Sequence, residues 1–180
     1  MSSNGKPGNW NLAAQICMIE IFHGNGLLHL SSASIKEIRE RLDFMITAGM
    51  SGNGKYSNSD FGRFWRELAW ITQRAAANSG ISLFDQKPVE LAIHICRKQA
   101  DYGHDNIARF GRIGLLVRVH DKIARLENLI SKGVAPQNES LVDNYIDVIG
   151  YAAIGMMVER DWFNLSLDRD ALETVAPQGV

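Results

Sequence analysis

Apolar residues recur at intervals of three and four along most of this chain, and no stretch alternates in the manner of a half-buried strand. Leu12, Ile16, Ile19 and Phe22 predict a helix over 10–22, closed by the turn residues His23-Gly24-Asn25-Gly26. Ile35, Ile38, Leu42 and Ile46 predict a second over 35–48, opened by Ser34 and Glu37 in the S-x-x-E spacing of a capping box. Phe61, Phe64, Trp65, Leu68 and Ile71 give a third over 60–78, with Gly80 beyond its end. Pro88 suits the first turn of a fourth helix reaching about Asp101, with Val89, Ala92, Ile93 and Cys96 inward, until Tyr102-Gly103-His104-Asp105-Asn106 breaks the pattern. Leu115, Leu116, Val119, Ile123, Leu126 and Ile130 mark a helix over 114–131, ended by Gly133 and Pro136. Leu141, Val148, Ile149, Ala152 and Met156 mark the last, over 139–162. The fold class is all-α: a helical bundle over 81–170, an additional N-terminal helical segment over 10–80, and loose tails at 1–9 and 171–180.

One loop imitates a nucleotide motif. GMSGNGKY, from Gly49 to Tyr56, is a phosphate-binding loop except in its last residue, where the hydroxyl that ligates magnesium is replaced by a phenol. Such a loop follows a buried strand, whereas a helix precedes this one, so a helix capped at Gly49 and a Gly/Asn/Ser turn account for the same letters.

At 180 residues, with 46% hydrophobic and 22% charged residues, the chain has the make-up of an ordinary globular protein with one sizeable core. Its net charge of −1 argues against a general nucleic-acid binder. Two cysteines, Cys17 and Cys96, sit among apolar neighbours and offer neither a disulfide framework nor a zinc cluster, which suits a cytoplasmic setting. The longest apolar run, Val148 to Val158, is eleven residues against the roughly 20 of a membrane span, so no membrane partner is expected. Charge is unevenly spread, however. Residues 97–132 carry eight Lys/Arg against four Asp/Glu, and 133–170 carry two Arg against seven acids. Consecutive segments of opposite sign suit two sides of one site.

Within the acidic segment, Glu139, Asp143 and Asp147 recur every fourth residue, so their carboxylates share a helix face. The same stripe continues into Gly150, Tyr151 and Ile154, which suggests that the face turns into the protein. A buried carboxylate row needs a cation, and oxygen donors suit magnesium or manganese. The competing explanation is local: Ser140 caps the helix and Asp143 completes the cap. One helix earlier, Arg118, Asp121, Arg125 and Asn128 form a polar stripe that either pairs internally or offers Asp121 to a metal and Arg118, Lys122 and Arg125 to phosphate oxygens. Glu90, His94, Lys98 and Asp101 share a third face; His94 and His120 lack the partners of a zinc site, and Cys96 reads as core.

K-x-x-D-Y-G (Lys98, Asp101, Tyr102, Gly103), R-x-x-D-K-x-x-R-L (Arg118, Asp121, Lys122, Arg125, Leu126) and E-S-x-x-D-x-x-x-D (Glu139, Ser140, Asp143, Asp147) together resemble the nucleotide-modification-associated family of phages and bacteria. That family looks like a divergent branch of the all-α, MazG-like nucleoside triphosphate pyrophosphohydrolases, whose helical E-x-x-E and E-x-x-D pairs hold magnesium. Here Arg118 and Asp121 stand where E-x-x-E is expected, and Asn144 stands three residues before Asp147. The resemblance implies a nucleotide-binding domain over 81–170, a nucleoside triphosphate as partner, and a homodimer or homotetramer, for which Gly150 to Gly155 offers small residues for close packing.

The resulting expectation is a Mg2+- or Mn2+-dependent pyrophosphohydrolase. Asp121, Glu139, Asp143 and Asp147 would hold metal, with Asp121 and Lys122 in the catalytic centre. Arg118, Lys122 and Arg125 would meet the phosphates, and Lys98, Asp101, Tyr102 and Asn106 the base and sugar. Two alternatives stand beside it: a nucleotide-binding module without hydrolysis, and a helix-turn-helix DNA reader built on the N-terminal helices.

Overall fold

The computed structural model describes residues 5–23, 33–51, 54–83, 87–133 and 140–173, and every regular element among them is helical. The elements are α1 (Trp10–His23), α2 (Ile35–Met50), α3 (Asn58–Asn78), α4 (Pro88–Tyr102), α5 (Asp105–Ala108), α6 (Gly111–Lys132), α7 (Leu141–Glu159) and α8 (Arg169–Glu173). The turn expected at 24–26, Pro136 and Glu139 lie outside the described residues.

Local chemistry sets the helix ends. Capping boxes open three helices: Ser34 with Glu37 for α2, Ser57 with Asp60 for α3, and Ser140 with Asp143 for α7. Pro88 takes the first turn of α4, where its missing N–H costs nothing. At the end of α6, Gly133 adopts the left-handed conformation (φ 59°) that a residue with a side chain avoids. Gly49 is not a cap. α2 runs through it to Met50, and a Cβ there would make ordinary contact with Ile113 and Leu116 of α6 at 3.6 Å, so the position faces α6 rather than a turn. Tyr56, which spoiled the phosphate-loop pattern, packs edge-on against Phe44, Phe61 and Phe64.

α2, α3, α7 and α6 pack in a closed ring, each against the next, as a four-helix bundle. α1 and α4 pair beside it, with α1 also resting on α7 and α3. One continuous core therefore draws on both sides of residue 80, from Trp10, Ile38 and Trp65 to Leu115, Val148 and Met157. α7 is its centre. It has the length and hydropathy of a membrane span, yet 61% of that window is buried within the protein. Its small residues serve this packing: Gly155 lies against Trp65, and a Cβ at Gly150 would stand 3.0 Å from Ile95. The close approach anticipated for a second subunit is thus taken up inside the chain.

At the end of α7, the side chain of Glu159 is 2% exposed and accepts from Arg112 Nε at 2.6 Å, from Arg112 Nη2, and from Trp65 Nε1 at 3.4 Å. The guanidinium stacks 3.6 Å from the centroid of Phe61. A buried ion pair thus locks α6, α7 and α3 together. Arg39 of α2 forks onto Glu127 of α6 at 3.1 and 2.7 Å, and Arg160 onto Glu20 of α1 at 2.9 and 2.7 Å.

α1 corrects the periodicity argument. Of the predicted Leu12, Ile16, Ile19 and Phe22 face, Leu12 is 45% and Ile19 43% exposed, with Ile16 and Phe22 half-buried, while Trp10, Ala13, Ala14, Cys17, Met18 and Ile21 are buried. Trp10, Ala14, Cys17 and Ile21 form a second apolar stripe at the same helical spacing, and with apolar residues on both sides spacing alone does not choose the inner face. Likewise Val89 on α4 is exposed, and Leu91 and Ile95 join Ala92 and Cys96 inside.

Candidate functional site

Three helices and a turn enclose a cavity of about 220 Å³. α4 contributes Ile95, Lys98, Gln99 and Tyr102, one face at spacings of three, four and seven; α7 contributes Asp147, Gly150, Tyr151 and Ile154 at the same spacings. α6 adds Arg118 and Lys122, one turn apart, and α5 adds Asn106 and Ile107. The inward turn of the α7 stripe expected at Gly150, Tyr151 and Ile154 is therefore observed.

Asp147 anchors one end. Its side chain is 13% exposed; Oδ1 accepts from Lys98 Nζ at 2.6 Å and Oδ2 from Lys122 Nζ at 2.7 Å. Burial pushes its carboxyl upward, but the hydrogen bonds and charges of Lys122 and Lys98 outweigh it and hold the group below the usual carboxylate range. α6 and α7 run antiparallel, since Arg112 meets Glu159 while Lys122 meets Asp147. Arg118 consequently lies about 6 Å along the axis from Lys122, near the level of Tyr151. Arg118 Nη2 donates to Asn106 O at 3.3 Å and to Asn106 Oδ1, and among the described residues it has no carboxylate partner.

A second hollow, of about 330 Å³, lies across the Lys98–Asp147 pair and is lined by Glu90, Leu91, His94, Asp143 and Ile146. Burial and the charge of Lys98 hold His94 below its ordinary value, against the pull of Asp147 and Asp143. A cationic chamber and an acidic one thus share a wall.

The residues proposed from sequence divide cleanly. Lys98, Tyr102, Asn106, Arg118 and Lys122 line the first cavity together with Asp147. Asp101, Asp121 and Arg125 do not line it, and Asp101 and Asp121 are exposed. Asp143 lines the acidic hollow, but its Oδ2 also accepts from Ser140 N at 2.9 Å and Ser140 Oγ at 2.8 Å, which is the capping alternative. Arg118 pairs with Asn106 of α5 rather than with Asp121.

These donors do not fit a divalent ion as they stand. Both oxygens of Asp147 hold ammonium groups, Asp143 closes a helix cap, and Asp121 is exposed. Among the described residues no three His, Cys, Asp or Glu side chains come together as a metal-holding group. Glu139 lies outside those residues.

Sequence reasoning passed over Gln99. It lies next to Lys98 on the cavity face of α4, is only 4% exposed, and has no hydrogen-bond partner for Nε2 among the described residues. The signal was available in the spacing of Ile95, Lys98, Gln99 and Tyr102, but a neutral amide in a helix carries no motif.

Residues 98–158 match the family model described as nucleotide modification associated domain 1. The matched stretch opens at Lys98, includes Arg118, Lys122 and Asp147, and contains every α5, α6 and α7 residue of the cavity. No curated protein and no solved structure matches the chain.

Proposed function

We propose that this chain binds a nucleotide in the α4–α7 cavity and serves nucleotide modification or nucleotide-pool control. The observation that carries the reading is Arg118: a cation in the cavity wall with no carboxylate partner among the described residues, one turn from Lys122. Both of its bonds to Asn106 leave from Nη2, so Nε and Nη1 keep their N–H groups for an incoming anion. Lys98 and Lys122, held in place by Asp147, add positive potential beside it. Tyr102 and Tyr151 offer aromatic faces to a base. The family match to a nucleotide-modification domain over this stretch supports the same reading.

Thermal stabilisation of the full chain across a panel of nucleoside mono-, di- and triphosphates tests it. A concentration-dependent rise in unfolding temperature is expected, weakened by Arg118→Ala. No stabilisation by any member of the panel rejects the reading.

The acidic hollow favours a second reading, hydrolysis of a nucleoside triphosphate to monophosphate and pyrophosphate. Asp147 faces both chambers, with Glu90, His94 and Asp143 on the acidic side. Magnesium there would supply charge neutralisation and water activation, and its binding would require Asp147 to give up a lysine. Incubation with each deoxynucleoside triphosphate and magnesium, following pyrophosphate, separates the readings: product requires the hydrolase, and stabilisation without product leaves the binding module.

A further inference from the structure

We propose that the ligand of the α4–α7 cavity is a nucleoside monophosphate and that Gln99 reads the edge of its base. This inference rests on the nucleotide-binding reading above and narrows it.

Gln99 is 4% exposed, yet its amide nitrogen has no hydrogen-bond partner among the described residues. Buried polar groups are nearly always paired, so an orphan calls for an explanation. Of the buried side chains with an unpartnered polar atom among the described residues, Gln99 alone lines this cavity. Its neighbours on the α4 face are a cation one residue before, Lys98, and an aromatic ring three residues after, Tyr102. A carboxamide presents one donor group and one acceptor on a planar head, the pattern that pairs in bidentate fashion with a base edge. The tyrosines stack on any base, because every base has a π face, whereas the donor and acceptor of the amide match one base edge better than another.

Charge sets the phosphate count. The lining has three cations, Lys98, Arg118 and Lys122, against the single carboxylate of Asp147. That excess of two positive charges matches a phosphate monoester, which carries about −1.5 to −2 at neutral pH. A triphosphate brings more negative charge than this wall offsets.

Calorimetric titration of the full chain in chelator tests the inference, using the four nucleoside monophosphates, their triphosphates and ribose 5-phosphate. One base is expected to bind about tenfold more tightly than the others, and its monophosphate at least as tightly as its triphosphate. Gln99→Leu should bring the four bases within about twofold of one another while leaving ribose 5-phosphate affinity unchanged. Gln99→Glu, which replaces the donor by an acceptor, should change which base is preferred, and it covers the case in which the leucine variant fails to fold. Unaltered base ranking in the variants, tighter binding of triphosphate than monophosphate, or ribose 5-phosphate matching the best nucleotide would each overturn the inference while leaving nucleotide binding intact. A wild-type chain that binds none of the nucleotides overturns the parent reading as well.

Discussion

Gly155 of α7 lies so close to Trp65 of α3 that a Cβ added to it would stand 2.4 Å from two atoms of the indole ring. No real side chain tolerates that distance, and the fully buried ring has nowhere to go. Gly155→Ala should therefore destabilise the chain by about 1–3 kcal/mol, the usual cost of overpacking a filled core. Thermal unfolding should show a loss of several degrees. Gly150→Ala meets only Ile95 Cγ2, at 3.0 Å, where a methyl can shift, and should cost less. Equal unfolding temperatures for the two variants would contradict this packing.

Glu159 and Arg112 form a pair that is expensive to break and cheap to replace. Arg112→Ala leaves a carboxylate 2% exposed without its counter-ion and should cost about 3–5 kcal/mol. The double variant Arg112→Met, Glu159→Leu removes both charges and should recover most of that loss. Chemical denaturation of the three proteins measures both effects.

Asp147 should give stability an acid limb. Its carboxyl is depressed in the fold because the lysine bonds outweigh burial, so the unfolded chain binds the proton more readily. The contribution is fully present above the unfolded value of about 3.9 and is lost as pH falls through the lower folded value. Asp147→Asn should remove this part of the pH dependence and lower stability at neutral pH, where Lys98 and Lys122 would face each other uncompensated. Unfolding temperature against pH for both proteins decides; parallel curves below pH 5 would refute the assignment.

Arg118→Ala should weaken nucleotide binding by about tenfold or more, the loss expected for a hydrogen bond to a charged group. Arg125→Ala, on the same helix but outside the cavity lining, should leave it unchanged. Titrations of the two variants side by side separate a specific contact from the general charge of α6.

Both thiols should be inert in the native state. Burial pushes Cys17 up to about 12, with Glu20 assisting and Arg160 opposing, and burial alone pushes Cys96 up to about 12. The thiolate is the nucleophile, so an aromatic disulfide reagent at pH 8 should label neither until denaturant is added.

Much of this architecture could be read from spacing. Six long helices follow apolar periodicity, and the boxes at Ser34–Glu37 and Ser140–Asp143 mark two of their starts. α5 and α8, with four and five residues, are too short for a period to declare itself. α1 shows the limit of judging a face by spacing: Leu12 and Ile19 recur at helical intervals but are exposed, while the parallel stripe of Trp10, Ala14, Cys17 and Ile21 is the one buried. At the site, Arg118 and Lys122 were legible in the polar stripe of α6, whereas Lys98, Tyr102 and Asn106 were given a role only through the resemblance, and all five line the cavity. What periodicity cannot supply is pairing across helices. Asp147 is bound by Lys98, 49 residues earlier, and by Lys122, and nothing in the spacing of one helix announces a partner on another.

Were both chambers filled, the wall that Lys98 and Asp147 build between them would tie their occupancies together. An anion drawing Lys98 toward one side would loosen its grip on the carboxylate and leave that carboxylate a better host for positive charge on the other. Such linkage is reciprocal: whatever factor the first guest contributes to the affinity of the second, the second returns to the first.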